Sequence, residues 1–235
     1  MKIFSISDLH LSNACPKPMD IFGQTWNNYW EKIKLDWQNN VSQEDLVLIA
    51  GDISWATKLE DALVDLDDIS SLNGTKVIIK GNHEHWWNSY SKVKDALPKS
   101  IFAIQNNALL FDKYIICGTR GWVLPNNKST TDDIKIYNRE LIRLKLTLDE
   151  ATKIYNQNPN EYKIILMLHY PPFNVLWQDS EVTNLISSYP VSHVIYGHLH
   201  GKECRTQDVI YKNNIPYHIT SCDQIDFKLK LIVED

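Results

Sequence analysis

Five times along this chain a short apolar run breaks off into a residue able to bind a metal or move a proton. Ile3 to Ser7 leads into Asp8-Leu9-His10, and Leu46 to Ala50 into Gly51-Asp52. Val77 to Ile79 is followed by Gly81-Asn82-His83-Glu84, Lys163 to Leu168 by His169, and Val194 to Tyr196 by Gly197-His198-Leu199-His200. Brief runs rich in Ile, Val and Leu read as buried strands. Asn, His and Asp gain nothing by packing at a strand end, because each desolvates badly without a partner. A carboxylate, an amide oxygen and an imidazole can instead ligate a metal, and an imidazole can carry a proton. Where strands alternate with helices, the carboxyl ends of the strands line one crevice. Five such ends would bring these groups together.

The segments between the runs have the required helical character. After a loop from Ser12 to Asp20 with Pro16 and Pro18, the residues Trp26, Tyr29, Trp30, Ile33 and Trp37 trace one face of a predicted aromatic helix. Leu59, Ala62, Leu63, Leu66 and Ile69 make a second amphipathic helix, closed by Asn73-Gly74. A third is expected from the aromatics after His83 to about Leu97. Tyr114 to Cys117 reads as a further strand. Residues 131–156, without Gly or Pro, predict a long helix with Ile134, Leu141, Leu144, Leu148 and Ala151 as its apolar stripe. Arg139, Glu140, Arg143 and Lys145 are assigned mostly to solvent. Val209 to Tyr211, Tyr217 to Thr220 and Lys228 to Val233 follow without intervening helices, as an antiparallel β region that completes a second sheet.

Composition narrows the function. A chain of 235 residues can bury a substantial core, and one domain spanning 1–235 is expected. The net charge of −5 argues against a generic binder of nucleic acid or anionic membrane. Cys15, Cys117, Cys204 and Cys222 form no Cys-x-x-Cys pair, as expected of reduced thiols in a cytoplasmic protein. No apolar run approaches the ~18 residues needed to span a bilayer. The opening Met1 to His10 reads as a first strand and not as a leader.

Two Asp, several His and one Asn, with no thiolate among them, suit two borderline divalent ions. The ordered set of Asp8 and His10, Gly51-Asp52, Gly81 to Glu84, His169, and Gly197 to His200 resembles the calcineurin-like metallophosphoesterases, over nearly the whole chain. The resemblance implies an α/β fold, a four-layer α/β/β/α sandwich of two facing mixed sheets flanked by helices. It implies that Asp8, His10 and His200 hold one metal, that Asn82, His169 and His198 hold the other, and that Asp52 bridges them. His83 would stay unligated as the general acid near the leaving group. The cofactors would be two divalent ions, with Mn, Fe, Zn and Co all admitted by these ligands. The expected reaction is phosphoester hydrolysis, of a monoester or a diester, by a hydroxide shared between the metals. With 24 Lys and Arg against 29 Asp and Glu and no basic run, a small phosphorylated molecule or nucleotide is expected as substrate in place of a nucleic-acid polymer. The alternative is a non-catalytic, metal-retaining scaffold or interaction module of the same fold.

Other residues carry two readings each. Arg120, in a loop with Gly118 and Gly121, is a phosphate clamp or a surface arginine. Trp55, Trp86, Trp87 and Trp122 form an aromatic rim or fill the core. His85 supports the site or starts a helix at the surface, His193 is structural, and His218 hydrogen-bonds a ligand or sits in the β region without a role.

Overall fold

The computed structural model describes residues 1–201, 204 and 207–234. Five strands, β1 (Ile3–Ile6), β2 (Leu46–Ile49), β3 (Thr75–Ile79), β4 (Ile101–Ile104) and, late in the chain, β11 (Lys230–Val233), form one sheet in the order β11-β1-β2-β3-β4. A second sheet holds β5 (Ala108–Phe111), β6 (Tyr114–Thr119), β7 (Lys163–Leu168), β8 (Val191–Tyr196), β9 (Val209–Lys212) and β10 (Ile215–Ile219), in the order β5-β6-β7-β8-β10-β9. β1 to β4 are mutually parallel, as are β6, β7, β8 and β10, while β11, β5 and β9 run antiparallel at the edges. The helices are α1 (Tyr29–Asn40), α2 (Leu59–Ser70), α3 (Tyr90–Ala96), α4 (Thr131–Tyr155) and α5 (Glu181–Ser187).

Period two along each strand decides which layer a side chain joins. Leu46, Leu48, Val77 and Ile79 pack against Tyr114, Ile116, Ile165 and Met167, so the two sheets share one interior. The alternate residues Val47, Ile49 and Ile78 pack with Ile33 and Trp37 of α1 and with Leu66 and Ile69 of α2. On the far side Ile164, Leu166 and Leu168 pack with Leu144, Leu148 and Ala151 of α4. The result is helix, sheet, sheet, helix, the four layers expected. Each wholly buried Ile or Leu contributes about 1.5–3 kcal/mol, and such residues fill both faces of the central strands.

Local chemistry sets the ends of the helices. Thr130 accepts from the Asp133 N–H, and the Asp133 carboxylate accepts from the Thr130 N–H, a reciprocal cap that starts α4. Lys76 is wholly buried, and its Nζ donates to the Leu72 and Ser70 carbonyls at the end of α2; burial lowers its pKa to about 8.

Three expectations need correction. Trp26 is outside the aromatic helix: it ends a short 3-10 turn, and Asn28, at φ 53°, breaks the path before α1 begins at Tyr29. The buried stripe of α4 runs through Tyr137, Glu140, Leu144, Thr147, Leu148 and Ala151; Ile134 is exposed, and Glu140 is not in solvent. The late strands do not form one antiparallel region. β10 pairs in parallel with β8, and β11 crosses to the first sheet to pair with β1. The strands β4 and β5 and the helix α5 have no counterpart in the sequence reading. All four cysteines are free. No helix among the described residues is long and apolar enough to cross a membrane.

His193 on β8 and His218 on β10 are hydrogen-bonded, Nδ1 to Nε2, at 3.2 Å. Burial lowers both pKa values, that of His218 to about 3 with the His193 ring adding to the effect. An unfolded histidine takes up a proton below about pH 6.5, whereas the folded His218 resists it. Stability is therefore complete above that pH and is lost as pH falls towards 3. His218 alone should remove about 2 kcal/mol between pH 7.5 and pH 5. Thermal melts at the two pH values should show His218→Leu losing less than the native chain; an equal loss would remove His218 as the cause.

Candidate metal centre

The candidate metal ligands gather where the parallel strands of both sheets end. Asp8, His10, Asp52 and His198 all have left-handed backbones, at φ 60°, 48°, 51° and 73°. Asp and His tolerate this region better than most residues, but it still costs of order 1 kcal/mol each. The strain turns each side chain out of its strand direction and into the crevice. Two glycines allow the strand ends to approach. A Cβ on Gly81 would collide with Asp52, and one on Gly197 with Ser7 and Asp8.

Two groups of ligand atoms result. Those of Asp8, His10 and His200 lie within 4.8 Å of one another, as do those of Asp8, Asp52 and His169. His10 Nε2 is 3.2 Å from His200 Nε2, which is 3.0 Å from Asp8 Oδ1. Asn82 Oδ1 faces His169 Nε2 at 2.8 Å and His198 Nδ1 at 2.9 Å. Asp8 is common to both groups, and Asp52 Oδ2 lies 3.4 Å from His169 Nε2 and 3.8 Å from His10 Nε2. The structure thus brings all seven predicted ligands together.

Neighbours hold these side chains in place. His200 Nδ1 donates to Asp223 Oδ1 at 3.0 Å, and His169 Nδ1 donates to the Ala50 carbonyl at 2.9 Å. Each bond aims Nε2 at the cluster. Asp8 accepts from Ser7 Oγ and from the His198 N–H. Glu84 is wholly buried and accepts from the backbone N–H groups of Gly81, Asp52 and Ile53 at 2.5, 2.9 and 2.6 Å, stapling the ends of β2 and β3 together.

The electrostatics reflect donors crowded out of water. Burial disfavours ionised Asp8, yet His200, His169 and His10 hold its carboxyl well below the usual range. Burial opposes charge on His169 and His200 as well; Asp52 and Asp8 raise His169 to about 9, and Asp8 and Asp223 raise His200 to about 10. Burial lowers His10 and His198 to about 4. Burial and the Asp52 carboxylate push Glu84 up to about 7 against its backbone bonds. With Nε2 of His169 and His200 aimed inward, a bound cation would take the place of the protons that otherwise join these nitrogens to the oxygens of Asn82, Asp52 and Asp8. Polar groups meeting at such distances fit a shared cation: ligands about 2.1 Å from one centre stand about 3–3.4 Å apart, according to the angle between them. The buried Nδ1 of His10 has no hydrogen-bond partner.

His83 stands beside these groups at the mouth. Its Nε2 is 3.9 Å from Asp52 Oδ2, its side chain is 35% exposed, and its N–H donates to Asp52 Oδ1 at 2.9 Å. Burial lowers its pKa, with Asp52 opposing. Trp55 packs on both His83 and His10, with ring centroids 4.4 and 4.6 Å away, and so belongs to the site. Trp86 and Trp87 are buried in the core, and His85 is exposed. Arg120 turns aside, over the ring of Trp122 and 3.7 Å from Glu140. Sequence reasoning missed Asp223, Ser7 and the work of Glu84. The acid beside Asn82 and His83 was a usable signal for Glu84; Asp223 had none.

The chain belongs to the calcineurin-like phosphoesterases, whose family model matches residues 1–202. Among solved structures, the protein TT1561 of Thermus thermophilus is 12% identical, with 97% of this chain and 96% of that one covered at a TM-score of 0.59, and it shares the fold. A protein of unknown function from Aquifex aeolicus, AQ665, is 15% identical over 98% and 95% of the two chains, with a TM-score of 0.47. A structure described as a novel archaeal phosphodiesterase is 15% identical over 100% of both, with a TM-score of 0.41. No match is found among curated proteins.

Proposed function

We propose that this chain hydrolyses small phosphoesters with the help of two divalent ions, held by Asp8, His10, His200, Asn82, His169, His198 and the intervening Asp52. The observation that carries this reading is the convergence of seven donors from five strand ends, two of them buried carboxylates. Bound divalent ions would polarise the phosphoryl group and lower the pKa of water. The chain's own residues do the rest. Asp223 and the Ala50 carbonyl orient His200 and His169, the bond from Ser7 fixes Asp8, and Trp55 confines the His83 ring. His83 donates a proton to the departing oxygen, and its partial exposure lets it reach a substrate there. The net charge of −5 favours a small phosphorylated molecule over a nucleic-acid polymer.

The deciding assay uses bis-(p-nitrophenyl) phosphate and p-nitrophenyl phosphate on chelator-treated protein, before and after manganese is restored. Turnover of either ester that returns with the metal supports the proposal, and the faster ester sets the diester or monoester class. Verified binding of manganese with no turnover of these or other phosphoesters would favour a scaffold. His83→Ala should keep its metal but lose about 10²–10³-fold in turnover of an alkyl phosphate, whose leaving group needs a proton, and much less on the aryl ester. Equal losses on both esters would remove the general-acid role.

A further inference from the structure

A second cluster of charge lies beside the metal-binding groups. Lys80, just past β3, Arg120, just past β6, and Arg143 of α4 line one cavity of about 210 Å³, with Asn88 and Asn106 among the other walls. Glu140 is the single carboxylate in that lining. It accepts from Thr119 Oγ1 at 2.9 Å, from the Gly121 N–H at 3.2 Å and from Arg143 Nη1 at 2.5 Å. Three cations thus share one anion that is already well bonded. The Arg120 guanidinium lies 4.7 Å from the centroid of the Trp122 ring, and its buried Nε has no partner. Lys80 Nζ spends one proton on the Trp87 carbonyl at 2.8 Å; an ammonium has three. A planar guanidinium beside an ammonium suits an oxyanion.

The cavity opens on the edge that carries the metal-binding groups. Lys80 is two residues before Asn82, and the Arg120 carbonyl accepts from the N–H of His169 at 3.1 Å. β6 is the direct neighbour of β7, which ends at His169, and neighbouring strands are about 4.8 Å apart. These adjacencies place the cations of the cavity at strand ends next to those that carry the metal-binding groups. We propose that Lys80, Arg120 and Arg143 bind a second phosphate of the substrate, so that the preferred substrate is a bisphosphorylated small molecule. The proposal rests on the phosphohydrolase reading above.

Adenosine 3′,5′-bisphosphate and AMP test it as a pair on the manganese-loaded chain. The bisphosphate should have a kcat/KM at least about tenfold higher, mainly through KM. Lys80→Gln and Arg143→Gln should each bring that ratio close to one. Lys145→Gln, which removes an exposed charge paired with Asp149 elsewhere on α4, should leave it unchanged. Thermal melts check that the variants are folded. Equal kcat/KM values for the two nucleotides in the native chain would overturn the proposal. So would a saturable effect of sulfate on AMP turnover that Lys80→Gln abolishes, because the cavity would then serve a free anion. If neither nucleotide is turned over, calorimetric titration of the bisphosphate into the same chain decides. Binding that weakens at least about tenfold in Lys80→Gln keeps the second-phosphate site while the hydrolase reading falls. Binding equal to that of AMP overturns the site.

Discussion

Asp52→Ala should reduce metal-dependent phosphoester turnover by roughly 10³-fold or more, equivalent to about 4 kcal/mol of transition-state stabilisation. Its Oδ2 lies between His169 Nε2 and His10 Nε2, at 3.4 and 3.8 Å. Its Oδ1 accepts from the His83 N–H. One substitution thus takes a negative charge from the middle of the donor set and frees the backbone beneath the proposed acid. Metal content by elemental analysis and kcat/KM on an aryl phosphate, measured on one preparation, test the expectation. Two retained ions with less than a tenfold loss would show that Asp52 is not the residue the two sites share.

Glu84→Ala should have the largest effect on stability. It strips the N–H groups of Gly81, Asp52 and Ile53 of their acceptor in a place that water does not reach. An abandoned buried donor costs about 1–3 kcal/mol, so a loss of about 4 kcal/mol is expected in total. For a chain of this size that lowers Tm by roughly 10 °C. Glu84→Gln keeps one acceptor oxygen and should fall between the two. The measurement is a thermal melt of metal-stripped protein, so that loss of ligation is not counted. A shift within about 2 °C of the native chain would mean that the staple carries no load.

The strands and the donors were legible because both follow from short-range rules, while the four layers came from the resemblance to the calcineurin-like metallophosphoesterases. Alternation along Leu46 to Ile49 and Lys163 to Leu168 sorts side chains between two interiors, and a polar group after such a run must find a purpose. What escaped depended on partners far away in sequence. Nothing near Glu140 shows that Thr119 and Gly121 will surround it, and a charged residue in a helical pattern reads as solvent-facing. Asp223 meets His200 through a loop that follows β10, with no periodicity to announce it. β4 and β5 are four residues each with no helix to separate them, and the chain changes sheets between them at Asn106, φ 64°. Trp26 had the right spacing for α1, but the left-handed Asn28 intervenes.

The sequence distance between facing donors bears on how such a protein is made. Asp8 and His10 leave the ribosome well before His200, which lies 190 residues after His10. Closing so long a loop is slow compared with forming local structure. Until His200 is made, a nascent chain therefore displays isolated Asp and His side chains with no complete set to capture an ion. Any selection among the cell's metals would fall to the finished fold, whose strand ends set the spacing of the donors.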